Sequence, residues 1–319
     1  MIKKTKISVI GAGMVGSTTT FSLALSNFSL EIALIDIDEK KAMGDAIDIM
    51  HGSAFLPSSE IYAGNYTDCR DSDIIIITAG AKQKHGESRI NLLKRNYGMF
   101  KQIIGEIVKN CTHQPTIIVV SNPVDILAYL SYELSGFPRN KVFGSGTLLD
   151  SSRFKYLIGK HINIEPKSLH AYIIGEHGDS EVAAWSKTSI AGMRFDEYCK
   201  KHADFNEEMI EKIANEVRDA AYKVIEMKGS TYYAIALSAR RIVECILGDE
   251  RAILPVSVAL EGEYGIRGIA ISLPAVIGKN GIEDILQIEY SENEIAKLHK
   301  SAEGLKKSYH ELKNTDGGL

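Results

Sequence analysis

Short apolar runs alternate with helical patterns through the first half of the chain. Four of these runs predict strands, at residues 6–10, 32–35, 73–77 and 116–120. All but one of them are almost wholly apolar, as strands buried on both faces must be. Strands that alternate with helices in this order predict an α/β fold, in which helices cover both faces of a parallel sheet. Ligands bind beyond the carboxyl ends of such strands, so functional residues are expected there.

The second half of the chain has a more mixed pattern. Its clearest element is a helix in which apolar residues recur at spacings of three and four from Met209 to Ile225, before Gly229. Two further helices are predicted at residues 149–158 and 292–312, and short strands are predicted at residues 252–259, 268–273 and 287–290. The change of pattern near Gly144 predicts two packed domains, residues 1–145 and residues 146–319.

Charge and hydropathy exclude several classes of partner. The 319 residues carry 37 lysines and arginines against 41 carboxylates, a net charge of −4, so we expect no nucleic-acid partner and no anionic membrane surface. No apolar run approaches the roughly 18 residues needed to cross a bilayer, and residues 6–10 are too short for a signal-peptide core. We therefore expect a soluble protein of the cytoplasm.

The residues that most often bind metals do not form a metal site in this sequence. The four cysteines have no metal-ligand spacing and are predicted to be reduced thiols; they are Cys69, Cys111, Cys199 and Cys245. Asp48 and His51 have a helical ligand spacing but no third ligand nearby. We expect no bound metal.

A glycine-rich motif follows the first predicted strand and opens a helix. It reads Gly11-Ala12-Gly13-Met14-Val15-Gly16. Glycines at this place let backbone N–H groups approach a pyrophosphate at the positive end of the helix. Asp36 ends the next predicted strand, roughly 20 residues on, where a carboxylate accepts hydrogen bonds from both ribose hydroxyls. Asp36 would repel a 2′-phosphate and no arginine follows it, so the sequence predicts a dinucleotide site that favours NAD over NADP.

The other candidates have two interpretations each. Residues 80–89 are polar and carry several cations, so they form either a solvated loop or a lid that brings Arg89 onto an anionic substrate. Asp150 and Arg153 stand three apart on a predicted helix and could be only a surface ion pair. His177 could be only a turn histidine. Spacing alone does not bring these residues together.

Taken in chain order, five motifs resemble the L-lactate dehydrogenases, the bacterial enzymes most closely. They are Gly11-Ala12-Gly13-Met14-Val15-Gly16, Thr78-Ala79-Gly80-Ala81, Ser121-Asn122-Pro123-Val124-Asp125, Leu149-Asp150-Ser151-Ser152-Arg153-Phe154 and Gly175-Glu176-His177-Gly178-Asp179. The resemblance implies a Rossmann domain, a doubly wound parallel sheet, followed by a mixed α/β catalytic domain. It also implies reversible hydride transfer between NADH and pyruvate, giving L-lactate. Two alternatives stay open: a malate or broader L-2-hydroxy-acid dehydrogenase on the same fold, and a noncatalytic nucleotide-binding sensor.

The resemblance also implies a role for each candidate residue. His177 would be the acid and base, Asp150 would hold its imidazole in the right tautomer, and Arg89 would polarise the substrate carbonyl. The substrate pocket would contain Gln83, Arg89, Asn122, Arg153 and Thr231. The cofactor would contact Gly11, Gly13, Met14, Val15, Gly16, Asp36, Thr78, Ala79, Gly80 and Asn122.

Regulation and assembly are expected from the same resemblance. It implies a homotetramer. Many bacterial relatives are activated by fructose 1,6-bisphosphate through an arginine and a histidine, and the matching positions here hold Lys155 and His170. Lysine lacks the bidentate fork of arginine, so a weaker effector site is expected. His85 also stands where bacterial relatives commonly have proline, which leaves the closing rate of the lid open.

Overall fold

The computed structural model describes residues 4–81, 89–202 and 206–316. The helices of this part are α1 (Met14–Ala24), α2 (Glu39–His51), α3 (Arg89–Asn110), α4 (Val124–Ser135), α5 (Leu148–Ile162), α6 (Phe195–His202), α7 (Glu207–Lys228), α8 (Tyr233–Leu247) and α9 (Glu292–Asp316). Its strands are β1 (Thr5–Ile10), β2 (Leu30–Ile35), β3 (Glu60–Ala63), β4 (Ile74–Ile77), β5 (Thr116–Val119), β6 (Val142–Gly144), β7 (Leu169–His170), β8 (Ile173–Ile174), β9 (Val182–Ala183), β10 (Ser189–Ile190), β11 (Met193–Arg194), β12 (Ala252–Glu261), β13 (Arg267–Gly278) and β14 (Gly281–Ile285).

One large sheet organises the chain. Its strand order is β14-β13-β12-β6-β5-β4-β1-β2-β3, and β1 to β6 pair in parallel. The order reverses beside β1, as in a doubly wound Rossmann sheet. The predicted fold class is confirmed.

Burial explains why the first four predicted strands are correct. β4 is a run of four isoleucines, Ile74 to Ile77, each at most 1% exposed. In β1 and β5, Ile7, Val9 and Ile118 are fully buried as well. In the first half the pattern missed two strands: β6, which has only three residues, and β3, which lies at the edge of the sheet and has Ile61 as its one buried residue. Side chains packed on both faces leave a strong apolar signal, and an edge strand does not.

Antiparallel strands from the second half extend the same sheet. Ser257 and Val258 of β12 pair with Gly144 and Phe143 of β6, and β13 and β14 follow outward. The sheet is therefore continuous across the junction of the two sequence patterns. β13 runs past the predicted end at residue 273. Pro274 is tolerated within the strand because it lies directly opposite Pro255 of β12, so the two residues that lack an N–H donor occupy one cross-strand position.

The predicted strand at residues 287–290 is wrong. The amide of Tyr290 donates to the carbonyl of Ile288 at 2.9 Å, a tight turn that an extended strand cannot make. The strand in this region is β14, which pairs with β13. The predicted helices are confirmed as α5, α7 and α9, and α7 ends at Gly229 with a φ of 82°.

The carboxyl ends of β1, β2, β4 and β5 meet at one edge of the sheet. Gly11, Asp36 and Thr78 follow β1, β2 and β4 directly, and Ser121 is the second residue after β5. Within residues 4–81, 89–202 and 206–316, none of the helices combines the length and the apolar character needed to cross a membrane.

Candidate functional site

The glycine-rich loop after β1 is fixed by close packing at two of its glycines. Gly11 has a φ of +105°, and a Cβ built on it would lie 2.6 Å from the nitrogen of Ala79. A Cβ on Gly16 would lie 1.7 Å from the carbonyl oxygen of Gly11. The hydroxyl of Thr78 donates to that same oxygen at 2.9 Å. Gly11 and Gly16 are therefore required for α1 to approach the loops after β1 and β4.

Gly13 has a different environment from its two neighbours in the motif. Apart from its two chain neighbours, no residue of the described chain has an atom within 4 Å of a Cβ built on it. Gly13 caps α1 without a side-chain hydrogen bond, and the first turn, which includes Met14 and Val15, holds no acidic residue among the described ones. The backbone N–H groups at this positive helix end are free to bind an anion such as a pyrophosphate.

The Asp36 carboxylate at the end of β2 is held in place by backbone donors. Its Oδ2 accepts from the amide of Ala12 at 2.5 Å, and its Oδ1 accepts from the amide of Asp38 at 2.9 Å. Lys41, a cation that the sequence analysis did not single out, donates to the carbonyl of Ala12 and lies 2.7 Å from Asp45. The arrangement places an anchored carboxylate beside the open face of the glycine loop.

A buried amide connects the loops that follow β4 and β5. Asn96 of α3 is fully buried, and its Oδ1 accepts from the amide of Ala81 at 2.8 Å. Its Nδ2 donates to the carbonyl of Asn122 at 2.9 Å. Asn96 was missed, although a polar residue on the buried stripe of Leu93 and Phe100 is a signal that could have identified it. It fixes the backbone of Asn122 against the start of the predicted lid.

The structure brings His177, Asp150 and Arg153 together. The Nδ1 of His177 lies 2.5 Å from one oxygen of Asp150, and Arg153 donates to the other oxygen at 2.8 Å. Asp150 is almost fully buried, whereas the side chain of His177 is 24% exposed. The interpretation of Asp150 and Arg153 as a surface ion pair is wrong, since Asp150 is buried and also binds a histidine, and the side chain of Arg153 is only 16% exposed.

The charges around His177 favour its protonated form. Burial alone would lower the pKa of His177, but the Asp150 carboxylate, by charge and by hydrogen bond, and the Asp125 carboxylate raise it to about 9. Burial would raise the pKa of Asp150, yet His177 and Arg153 hold it below its usual value. With Nδ1 bound to Asp150, the Nε2 of His177 is the nitrogen that can exchange a proton with a ligand.

A second buried carboxylate, Asp125, fixes the loop that carries His177. Its Oδ2 accepts from the amide of His177 at 2.8 Å, and its Oδ1 accepts from the hydroxyl of Ser257 at 2.5 Å. Burial raises the pKa of Asp125 to about 6. The sequence analysis quoted Asp125 within a motif and gave it no role, because only the fold brings α4, β12 and this loop together.

These groups open into one cavity of about 520 Å³. Its lining includes the site residues Asn122, Asp150, Arg153 and His177, together with Glu181 and Arg218, which were not predicted. Thr231 is partly buried ahead of α8 and is not among the described residues of this lining. Gln83 and the side chain of Arg89, the first residue of α3, lie outside the described part of the chain.

Lys155 and His170 lie on neighbouring elements, α5 and β7, which pack together. Burial lowers the pKa of Lys155, whose Nζ lies 5.6 Å from the centre of the Tyr172 ring. His170 is exposed. Neither residue lines the cavity that contains His177.

Family comparisons cover nearly the whole chain. Residues 5–144 match the NAD binding domain of lactate/malate dehydrogenase, and residues 147–315 match the alpha/beta C-terminal domain of lactate/malate dehydrogenase. The L-lactate dehydrogenase of Thermoanaerobacter sp. (strain X514) is 53% identical over 312 residues, which cover 96% of this chain and 99% of that protein. That of Acetivibrio thermocellus is 53% identical over 302 residues, which cover 94% and 95% of the two chains.

Solved structures agree with the sequence matches. A lactate dehydrogenase from a deep-sea metagenome library of the Medee basin superposes with a TM-score of 0.94 at 39% identity, covering 98% of this chain and all of that chain. The minor L-lactate dehydrogenase of Enterococcus mundtii gives a TM-score of 0.93 at 38% identity, covering 96% and 98% of the two chains. These matches confirm the resemblance drawn from the five motifs.

Proposed function

The chain belongs to the lactate/malate dehydrogenase family, and from this premise we propose that it is an NAD-dependent L-lactate dehydrogenase that reduces pyruvate. The names of its relatives, L-lactate dehydrogenases 53% identical over nearly the full length, support this function. The observation that carries the proposal is the buried contact of Asp150 with both His177 and Arg153. It places a proton donor and a carboxylate-binding guanidinium in one cavity. Pyruvate-dependent loss of NADH absorbance tests it.

The residues around the glycine loop fit NAD(H). The open face of Gly13 and the unshared N–H groups of α1 suit a pyrophosphate, and the anchored carboxylate of Asp36 suits the hydroxyls of a ribose. Thr78, Ala79, Gly80 and Asn122 would complete the site at the same sheet edge. When bound, NADH supplies the hydride.

Binding and orientation of pyruvate are assigned to two arginines. Arg153 would bind the pyruvate carboxylate, since a guanidinium can engage both oxygens while one of its nitrogens stays on Asp150. Arg89 would stabilise the negative charge that develops on the carbonyl oxygen. Asn96 would position Asn122 near that oxygen through its bond to the Asn122 backbone.

His177 would supply the proton in pyruvate reduction. As the carbonyl carbon accepts the hydride, the Nε2 proton of His177 moves to the carbonyl oxygen, which gives the hydroxyl of L-lactate. The neutral imidazole keeps the proton on Nδ1, where it is hydrogen-bonded to Asp150. In the reverse reaction the hydroxyl of L-lactate returns its proton to Nε2. Because this step needs the charged imidazole, the raised pKa of His177, about 9, keeps the donor charged at neutral pH.

Cofactor choice is expected to follow from Asp36. A 2′-phosphate would approach a carboxylate whose oxygens are already held by Ala12 and Asp38, so kcat/KM should favour NADH over NADPH by more than about tenfold, or roughly 1.4 kcal/mol. Initial rates with the two cofactors measure this ratio. Asp36→Ser should reduce the preference for NADH over NADPH. Asp38→Ser, which removes a neighbouring carboxylate, should leave that preference unchanged. Equal use of the two cofactors by the wild type would show that Asp36 does not contact the adenosine ribose.

We also propose a homotetramer that binds fructose 1,6-bisphosphate weakly at Lys155 and His170. Lysine lacks the bidentate fork of arginine, so the effector should bind less tightly than an arginine would allow. Pyruvate saturation curves with and without effector would measure this effect. Lys155→Gln and His170→Gln should remove the activation, while Lys160→Gln, an exposed change on the same helix, should retain it. Saturation kinetics unaffected by millimolar effector would contradict the proposal.

We also propose a division into two domains and a location in the cytoplasm. A division into residues 1–145 and 146–319 is supported by the bounds of the two family matches, although the sheet continues from β6 to β12. A cytoplasmic location is supported by the four cysteines, all of which are free thiols.

A further inference from the structure

Glu181 places a carboxyl group in the cavity that the proposed mechanism does not use. It lines the cavity with His177 and Arg153, and its Oε1 is enclosed without a hydrogen-bond partner in the described chain. Its amide donates to the carbonyl of Gly178 at 3.1 Å, so a tight turn links it to the loop of His177. An enclosed carboxyl oxygen without a donor is costly when charged, which makes a role for this group worth testing.

Charged groups surround Glu181 from two helices and from its own loop. Asp150 of α5 opposes its ionisation, while His177, Arg218 of α7 and Arg153 of α5 favour it. Burial has the largest effect and raises the pKa of Glu181 to about 8. In the cavity without substrate, Glu181 is therefore mainly neutral at pH 7 and charged above pH 8.

The influence between Glu181 and His177 is mutual. The Glu181 carboxylate is one of three negative charges that stabilise the imidazolium of His177, with Asp150 from α5 and Asp125 from α4. It is the one among them whose pKa is raised into the pH range in which His177 loses its proton. Asp150 and Asp125 are already ionised in that range.

We propose that Glu181 is a positioning residue that stabilises the protonated form of His177 and so extends pyruvate reduction to alkaline pH; this inference rests on the proposed function. At neutral pH the same carboxyl is uncharged, so it does not compete with the pyruvate carboxylate for Arg153. Above pH 8 its negative charge opposes the loss of the His177 proton. Interacting groups of this kind titrate together over a shared pH range.

The test is the titration of His177 by NMR in the substrate-free protein, with His177→Ala used to assign its signal. Glu181→Gln has the same size and no charge. We expect it to lower the titration midpoint of His177 by about half a unit to one unit. The falling limb of kcat/KM for pyruvate should move by the same amount, and rates at pH 6 should agree within about twofold. Glu226→Gln, which removes an exposed carboxyl on α7, should change neither the titration midpoint of His177 nor the falling limb of kcat/KM.

The NMR readout needs no activity, so its failure is distinct from a failure of the proposed function. An unchanged His177 midpoint in Glu181→Gln would overturn the inference, and so would a loss of stability without a change of midpoint. Glu181→Asp, which keeps the charge, should retain most of the wild-type profile. Should Glu181→Gln not fold, infrared titration of the wild-type carboxyl decides the matter. Ionisation of Glu181 near pH 8, coupled to His177, supports the inference, and ionisation at the ordinary value near 4.5 contradicts it.

Discussion

His177→Ala should lower kcat for pyruvate reduction by about a hundredfold to ten-thousandfold, while the affinity for NADH changes little. The variant removes the group that would protonate the carbonyl oxygen and leaves the glycine loop and Asp36 untouched. Rapid-mixing kinetics would give kcat, and NADH fluorescence would give the affinity. His161→Ala, an exposed change at the end of α5, is the matched control and should retain wild-type turnover.

Asp150→Asn should also reduce turnover far more than NADH affinity. The amide has the shape of the carboxylate but lacks the charge that stabilises the imidazolium and holds Arg153. Its effect should exceed that of Asp179→Asn, which alters a carboxylate of the same loop with no role in the proposed step. Near wild-type turnover in His177→Ala would show that the proton comes from another group. Near wild-type turnover in Asp150→Asn would contradict the role given to Asp150.

Pyruvate should be preferred to oxaloacetate by at least about a hundredfold in kcat/KM, a difference of roughly 2.7 kcal/mol between transition states. The prediction rests on Gln83, because family members that take malate hold arginine at the matching position. Oxaloacetate would have to place its second carboxylate against a neutral amide, which costs several kcal/mol unless water is retained. Pyruvate places only a methyl group there. Gln83→Arg should therefore shift the preference toward oxaloacetate and leave NADH binding nearly unchanged.

Other cations could bind that second carboxylate, and matched variants separate their contributions. Lys82 and Lys84 flank Gln83 in the sequence, and Arg218 of α7 lines the cavity. If one of them binds a dicarboxylate, its change to glutamine should reduce the residual oxaloacetate rate and spare the pyruvate rate. A wild-type enzyme that uses oxaloacetate as efficiently as pyruvate would favour the malate dehydrogenase alternative.

The sequence predicted those parts of the fold whose burial leaves a simple pattern. β4 and β5 are covered on both faces, so apart from Thr116 their residues are apolar. Residues 287–290 have the alternation of a strand, but their conformation depends on contacts distant in sequence. The hydroxyl of Tyr264 donates to the carbonyl of Ile288, and no local pattern reports that contact.

In the candidate site, some roles follow from local sequence and others depend on the tertiary structure. The glycine motif and Asp36 lie within one β-α-β unit, so their roles follow from local spacing. His177, Asp150 and Asp125 come from three segments that only the tertiary structure joins. The resemblance implied that His177 and Asp150 act together, which spacing could not show, and it gave Asp125 no role. The role of Glu181 depends on its burial, which a single sequence does not report, whereas the place of Asn96 on an apolar helix stripe is a signal in the sequence.

The most direct test of the central claim is to identify the product formed from pyruvate and NADH by the purified wild-type protein. Chiral chromatography would measure lactate while NADH absorbance is followed in the same sample. The account predicts L-lactate in amounts equal to the NADH consumed, formed at least about a hundredfold more slowly by His177→Ala. Absence of L-lactate from the wild-type reaction, or NADH consumption that does not depend on pyruvate, would contradict it.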